Sequence, residues 1–133
     1  MSRFQVRVYY EDTDLGGIVY HANYLRYLER GRTEALRALG VGQSRLKAET
    51  GLAFVVTRME IAFRAPARLD DLLEVETAGG RLGAASLELR QSIRRGDDAI
   101  VEAALRLALI GRDGRPERFP KVLRAQMAGL CED

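Results

Sequence analysis

Between Tyr9 and Tyr24 the chain carries an acidic, glycine-bearing turn that joins an alternating apolar segment to an amphipathic one. This order sets a carboxylate beside the outward-pointing N–H groups of a helix start. A carboxylate next to an oxyanion-type donor is the minimum equipment for attacking a carbonyl. Asp14 is followed, after Leu15, by Gly16 and Gly17, which permit a tight turn and close approach of a ligand. Two roles fit it: a nucleophile or general base aimed at an acyl carbonyl, or a turn carboxylate bonding nearby backbone N–H groups. Spacing alone favours the turn. His21, the only histidine, falls near the predicted helix start, where its backbone N–H can donate to a carbonyl oxygen with help from the helix dipole. Its side chain, taken alone, reads better as a capping or packing group than as an acid–base group.

Tyr10 belongs to the inward-facing set of the first predicted strand. There it either hydrogen-bonds substrate or the carboxylate, or serves as a core aromatic. Glu29 lies on the predicted helix, as a pocket residue or as a surface charge. Glu11, Asp12, Asp14 and His21 match no zinc or calcium spacing, and no second histidine exists, so no metal site is predicted. Gly79-Gly80-Arg81-Leu82-Gly83 lacks the context of a phosphate-binding loop, and no cofactor is expected.

The elements that must hold these residues follow from periodicity. Phe4, Val6, Val8 and Tyr10 alternate with polar or exposed-type neighbours, as in a half-buried strand. From Tyr24 the apolar residues Tyr27, Leu28, Ala35 and Leu39 recur near helical spacing, with Asn23 as N-cap and Gly40 just past the end. Gly31, mid-helix, predicts close approach of the helix to a sheet. A part-helical stretch follows within 41–50. Period-2 patterns then run through Val55, Thr57, Met59, Ile61 and Phe63, then Leu73 to Thr77, then Ala85 to Ile93, then Val101 to Leu109. Gly96-Asp97-Asp98 reads as a hairpin turn, Gly111 to Pro120 as a loop, and Lys121 to Leu130 as a short terminal helix. The expected architecture is α+β, with the four later strands as an antiparallel meander wrapping one long helix. Uncovered edge strands predict a homodimer or a larger symmetric assembly.

Length and composition place the chain in one class. At 133 residues it is read as a single domain, 1–133, with 47% hydrophobic and 30% charged residues. A net charge of +2 from 21 basic and 19 acidic residues is too balanced to imply nucleic acid as the main partner, and none is expected. Arg3, Arg7 and Glu11 interrupt any signal-peptide pattern, and Ala103 to Ile110 is too short to span a bilayer. With one cysteine, Cys131, the expected setting is cytoplasmic.

The stretch from Val8 to Glu34, VYYEDTDLGGIVYHANYLRYLERGRTE, resembles the hotdog-fold acyl-CoA thioesterases. Within them it is most similar to the branch associated with the Tol-Pal envelope system, relatives of 4-hydroxybenzoyl-CoA thioesterase. The similarity continues through Ala53-Phe54-Val55-Val56 and Ala65-Pro66-Ala67-Arg68-Leu69-Asp70-Asp71. It implies a hotdog fold, a long central helix wrapped by an antiparallel sheet of about five strands. It implies hydrolysis of short-chain or aromatic acyl-CoA, with Asp14 as the catalytic aspartate and the His21 N–H polarising the thioester carbonyl. The His21 side chain and Tyr10 match further site positions, and Gly17, Val19, Tyr24 and Glu29 are implied as substrate-binding. A homodimer or homotetramer with sites at the dimer interface is also implied.

Two other readings stay open. A hotdog dehydratase would want a histidine with an acidic partner on the facing helix, whereas here the histidine sits at the helix entrance. A non-catalytic module binding acyl carrier protein or envelope-system partners would suit the recurring arginines, among them Arg58, Arg64, Arg90, Arg94 and Arg115.

Overall fold

The structure is a computed structural model that describes residues 1–131. Strand β1 (Ser2–Arg7) leads through a single 3-10 turn at Tyr10–Asp12 to helix α1 (His21–Ala38) and helix α2 (Gln43–Thr50). Strands β2 (Ala53–Phe63), β3 (Leu72–Leu82), β4 (Ser86–Arg95) and β5 (Asp98–Ile110) follow, and helix α3 (Lys121–Ala128) comes last. The strands form one five-stranded antiparallel sheet in the order β1-β3-β4-β5-β2. The predicted four-strand meander is therefore a three-strand meander, β3 to β5, with β2 carried to the far edge. Its alternating pattern fits either edge equally, and only pairing with β5 selects one.

The sheet's inner face follows the predicted period closely in β3, β4 and β5. Leu73, Val75 and Thr77, then Leu87, Leu89 and Ile93, are all buried. Strand β2 departs from its predicted phase. Phe54 packs into the core while Val55 and Thr57 are exposed, and after a register shift between Val56 and Arg58 the inward set becomes Met59 and Ile61. A bulge of this kind inserts one residue and flips every side chain beyond it. The Gly79-Gly80 bend is also a register shift, against β4.

Helix α1 packs over β1, β3 and β4. Under its first half lie Tyr24, Tyr27 and Leu28 against Leu73, Val75 and Ile93. Under its second half, Ala35 and Leu36 join Leu105, Leu109, Leu123 and Met127. Gly31 sits where the helix crosses β3, and a Cβ there would overlap Val75 Cγ1 and lie 3.2 Å from Val75 Cβ. Gly31→Ala is thus expected to lose about 1–3 kcal/mol by overpacking. In an isolated helix the same change would gain up to ~1 kcal/mol. The sign of the change in a urea-denaturation midpoint decides between the two.

Helix α1 begins three residues earlier than the Asn23 cap predicted, with Tyr20 at the N-cap and Asn23 inside the first turn. Gly40 follows the helix at φ 84°, as its predicted place beyond the end requires. Tyr10 is not on the inward face: the strand ends at Arg7, the turn rotates the chain, and the Tyr10 side chain is 84% exposed. No helix among the described residues is long and apolar enough to cross a membrane.

Candidate active site

The segment from Val8 to Asn23 is held at both sides by loop 64–71. Val8 exchanges backbone bonds with Asp70 and Asp71, Ile18 bridges to Arg68, and the Val19 N–H donates to Ala67 O at 2.8 Å. That loop is in turn braced by Arg95, which donates to Pro66 O at 3.1 Å and to Asp71 Oδ2 at 2.8 Å. Burial raises the Asp71 carboxyl, but the Arg68 N–H and the Arg95 guanidinium outweigh it and hold it below its ordinary range.

On this brace Thr13 and Val19 pair across a short hairpin whose tip is Asp14-Leu15-Gly16-Gly17. Asp14 N–H donates to Ile18 O at 2.8 Å and Gly17 N–H returns to Asp14 O at 3.0 Å. Gly17 has φ 79°, and a Cβ there would meet nothing within 4 Å, so glycine serves the backbone angle rather than a lack of room. The Asp14 carboxylate accepts the Gly16 N–H on Oδ1 at 2.8 Å. Its Oδ2 takes no partner among the described residues, and the side chain faces solvent. The turn role and an available carboxylate oxygen therefore coexist in one residue.

Seven residues on, α1 opens with no side-chain cap. Tyr20 N–H is taken by Asp12 O and Asn23 N–H by Tyr20 O, while the His21 and Ala22 amides have no partner among the described residues. Two free N–H groups at the positive end of an 18-residue helix form a donor site for an oxyanion. The His21 ring lies 4.7 Å from the Tyr20 ring and edge-on to Phe63 at 6.2 Å.

The other residues singled out by sequence divide by burial. Val19 and Tyr24 lie in the core beneath the hairpin, and the Tyr24 hydroxyl accepts the Ala67 N–H at 3.0 Å. Burial raises the Tyr24 hydroxyl pKa; the Ala67 bond and Arg95 oppose this, and the charges of Asp71 and Asp14 add to it. Gly17 stays with Asp14 at the hairpin tip. Tyr10 points away into solvent on this chain. Glu29 lies farther along α1, on the wall of a groove of about 180 Å³ shared with Arg32, Leu36, Phe54, Val56 and Leu89.

Two features lie beyond the sequence-based expectations. Arg32 donates to Gln91 Oε1 at 3.1 Å, and the buried Gln91 gives its amide to Leu28 O and Thr77 Oγ1, both at 2.9 Å. Burial lowers the Arg32 pKa, with Glu29 opposing. Gln91 sits in phase with the apolar residues of β4, and that lone polar residue on an inward face was the available signal. Asp12 is the second: it is 8% exposed, and its carboxylate accepts the Tyr9 N–H and the Asn23 side-chain amide. A wider hollow of about 820 Å³ lies among the charged residues of the sheet's outer face, including Glu60, Arg64, Arg90 and Arg94. It contains neither Asp14 nor the start of α1. No group of three metal-ligating side chains occurs among the described residues.

An exposed carboxylate on a braced turn, with two free helix-start amides on the same segment, is equipment suited to acyl transfer. Comparison with known proteins agrees. Residues 16–102 match the family model described as the thioesterase superfamily, a span that opens two residues after Asp14. The acyl-CoA thioesterase YbgC of Haemophilus influenzae is 44% identical over 123 residues, covering 92% of this chain and 90% of that protein. The acyl-CoA thioester hydrolase YbgC of Escherichia coli O6:H1 is 42% identical, covering 95% of each. The crystal structure of a probable thioesterase from Bartonella henselae superposes with a TM-score of 0.86 at 44% identity, covering 89% of this chain and 98% of that one.

Proposed function

The chain belongs to the thioesterase superfamily, and we propose that it hydrolyses acyl-CoA thioesters to free acid and CoA. The observation that carries this reading is the exposed Asp14 carboxylate, one oxygen free, on the same braced segment as the unpaired His21 and Ala22 amides. The thioester oxygen faces those amides, which stabilise the charge that develops on it as the carbonyl carbon becomes tetrahedral. Asp14 removes a proton from water as the new C–O bond forms. The C–S bond then breaks, and the thiolate leaves and is reprotonated. Direct attack by Asp14 is the other route, giving an anhydride that water opens. Thiolate is a good leaving group, so neither route requires a strong acid. The His21 side chain, packed on Tyr20 and Phe63, shapes the entrance.

The acyl group in this reading is short-chain or aromatic and lies toward the groove beside Glu29, whose walls include the apolar Leu36, Phe54, Val56 and Leu89. In this reading Gly17, Val19 and Tyr24 support the substrate through backbone and packing, and Tyr10 acts on a site built with a second copy. Strand β2 is one edge of the sheet and exposes Val55, Val56 and Phe63. Pairing of two such edges gives a homodimer, on which a tetramer can build, and covers this apolar surface. A cytoplasmic setting belongs to the same reading, supported by the single free cysteine.

The test is a panel of acyl-CoA thioesters, aliphatic and aromatic, monitored for free thiol. Release from short-chain or aromatic members is the expected result. No release from any member, with capture of an acyl carrier protein in a pulldown, would favour the binding-module reading instead.

A further inference from the structure

Three acids lie within four residues of one another, and the structure separates them sharply. Glu11 is exposed, Asp14 is exposed on the hairpin tip, and Asp12 is buried. Asp12 Oδ2 accepts the Tyr9 N–H at 2.8 Å, and Oδ1 accepts the Asn23 side-chain amide at 2.9 Å. Its backbone oxygen accepts the Tyr20 N–H at 2.9 Å. One residue thus ties the start of the 3-10 turn, the residue preceding α1 and the first turn of α1 to a single point. The segment between the ties, 13–19, is the hairpin that carries Asp14.

No cation lies within ion-pair distance of Asp12 among the described residues. Arg26 acts one step away, donating to Asn23 Oδ1 at 3.3 Å and orienting its amide toward Asp12. The Tyr27 hydroxyl is buried beside this cluster without a hydrogen-bond partner among the described residues. Burial, and then the Asp12 carboxylate, raise its pKa well above the ordinary tyrosine value. Burying a carboxylate without a paired cation is costly before its hydrogen bonds are counted, and Arg26 and Arg30 stand only at the wall of the same small cavity. An apolar residue would stabilise the fold at lower cost, so the use of a carboxylate here is to set geometry.

We propose that Asp12 and Asn23 are positioning residues, a clamp that fixes the Asp14 carboxylate relative to the free amides of α1. The proposal rests on the thioesterase reading for its kinetic consequence. Misplacement of a reacting group by about 1 Å costs on the order of 100-fold in rate.

The test is a reciprocal exchange. Asn23→Asp alone sets two carboxylates against each other across the 2.9 Å contact. A negative charge in the first turn normally favours a helix, so loss of function here would run against the helix preference. The expected result is a fall in kcat of about 10- to 100-fold with KM within about threefold, and faster amide hydrogen exchange across 14–22. Adding Asp12→Asn restores the pairing with donor and acceptor reversed. The amide introduced at position 12 keeps an oxygen for the Tyr9 N–H and turns its NH₂ group to the carboxylate introduced at position 23. The double variant is expected to recover kcat to within a few-fold and to recover slow exchange. Recovered exchange without recovered kcat overturns the proposal, as does a single variant with unchanged kcat and exchange. If the unaltered chain releases no thiol from any acyl-CoA, the thioesterase reading fails by itself. The clamp is then judged on exchange alone, and unchanged protection at 14–22 in Asn23→Asp overturns it.

Discussion

Asp14→Asn is expected to reduce thiol release by about 10²- to 10⁴-fold in kcat, the range contributed by a positioned acid–base group. The substitution is selective because of how Asp14 is bonded. Its Oδ1 accepts the Gly16 N–H, and an asparagine oxygen accepts that bond equally well. Gly17 keeps its φ of 79°, and the backbone bonds between Asp14, Gly17 and Ile18 involve no side chain. The hairpin therefore survives while the free oxygen becomes an uncharged amide that neither attacks nor accepts a proton. Steady-state kinetics on the best panel substrate, beside a thermal melt, check this. A variant with near-normal turnover and an unchanged melt would remove Asp14 from the reaction.

His21→Pro is expected to lower kcat by about 10²- to 10³-fold, the scale for loss of one oxyanion donor. His21→Ala should stay within about tenfold of the unaltered chain, because it keeps the N–H and removes only the ring. Proline is tolerated at the first position of a helix, where its missing N–H has no intrahelical partner. The preceding residue must be extended, and Tyr20 already is, at φ −60° and ψ 128°. Circular dichroism should show α1 intact in both variants. Equal loss in both would assign the role to the imidazole instead of the backbone.

Much of this arrangement is legible in the sequence, and the departures have specific causes. The inward faces of β3, β4 and β5 are readable from alternation, since each strand is buried on one side over its length. The position of β2 is not, because an alternating strand carries no mark of its neighbour, and pairing with β5 is a contact between distant residues. Its phase departs from simple alternation because a bulge near Thr57 leaves no signature in composition. Alternation points Tyr10 inward only if it is extended past the strand's end, where the 3-10 turn rotates the chain. Asn23 has the residue type of a cap, although its side chain is committed to Asp12.

At the site the division follows the range of the forces. The order of residues alone was enough for the local geometry: a turn built on Asp14, Gly16 and Gly17, a long helix beginning near His21, and a glycine at the helix–sheet crossing. These depend on φ preferences and on residues a few positions apart. It also carried the family pattern, and with it the expected chemistry of Asp14 and the His21 amide. Which of three neighbouring acids is buried, which keeps a free oxygen, and which amides at the helix start are unpaired were settled by the folded chain. Burial and hydrogen-bond satisfaction are set by partners such as Asn23, Ala67, Asp71 and Arg95, which the chain brings to the turn only when the sheet closes beneath α1.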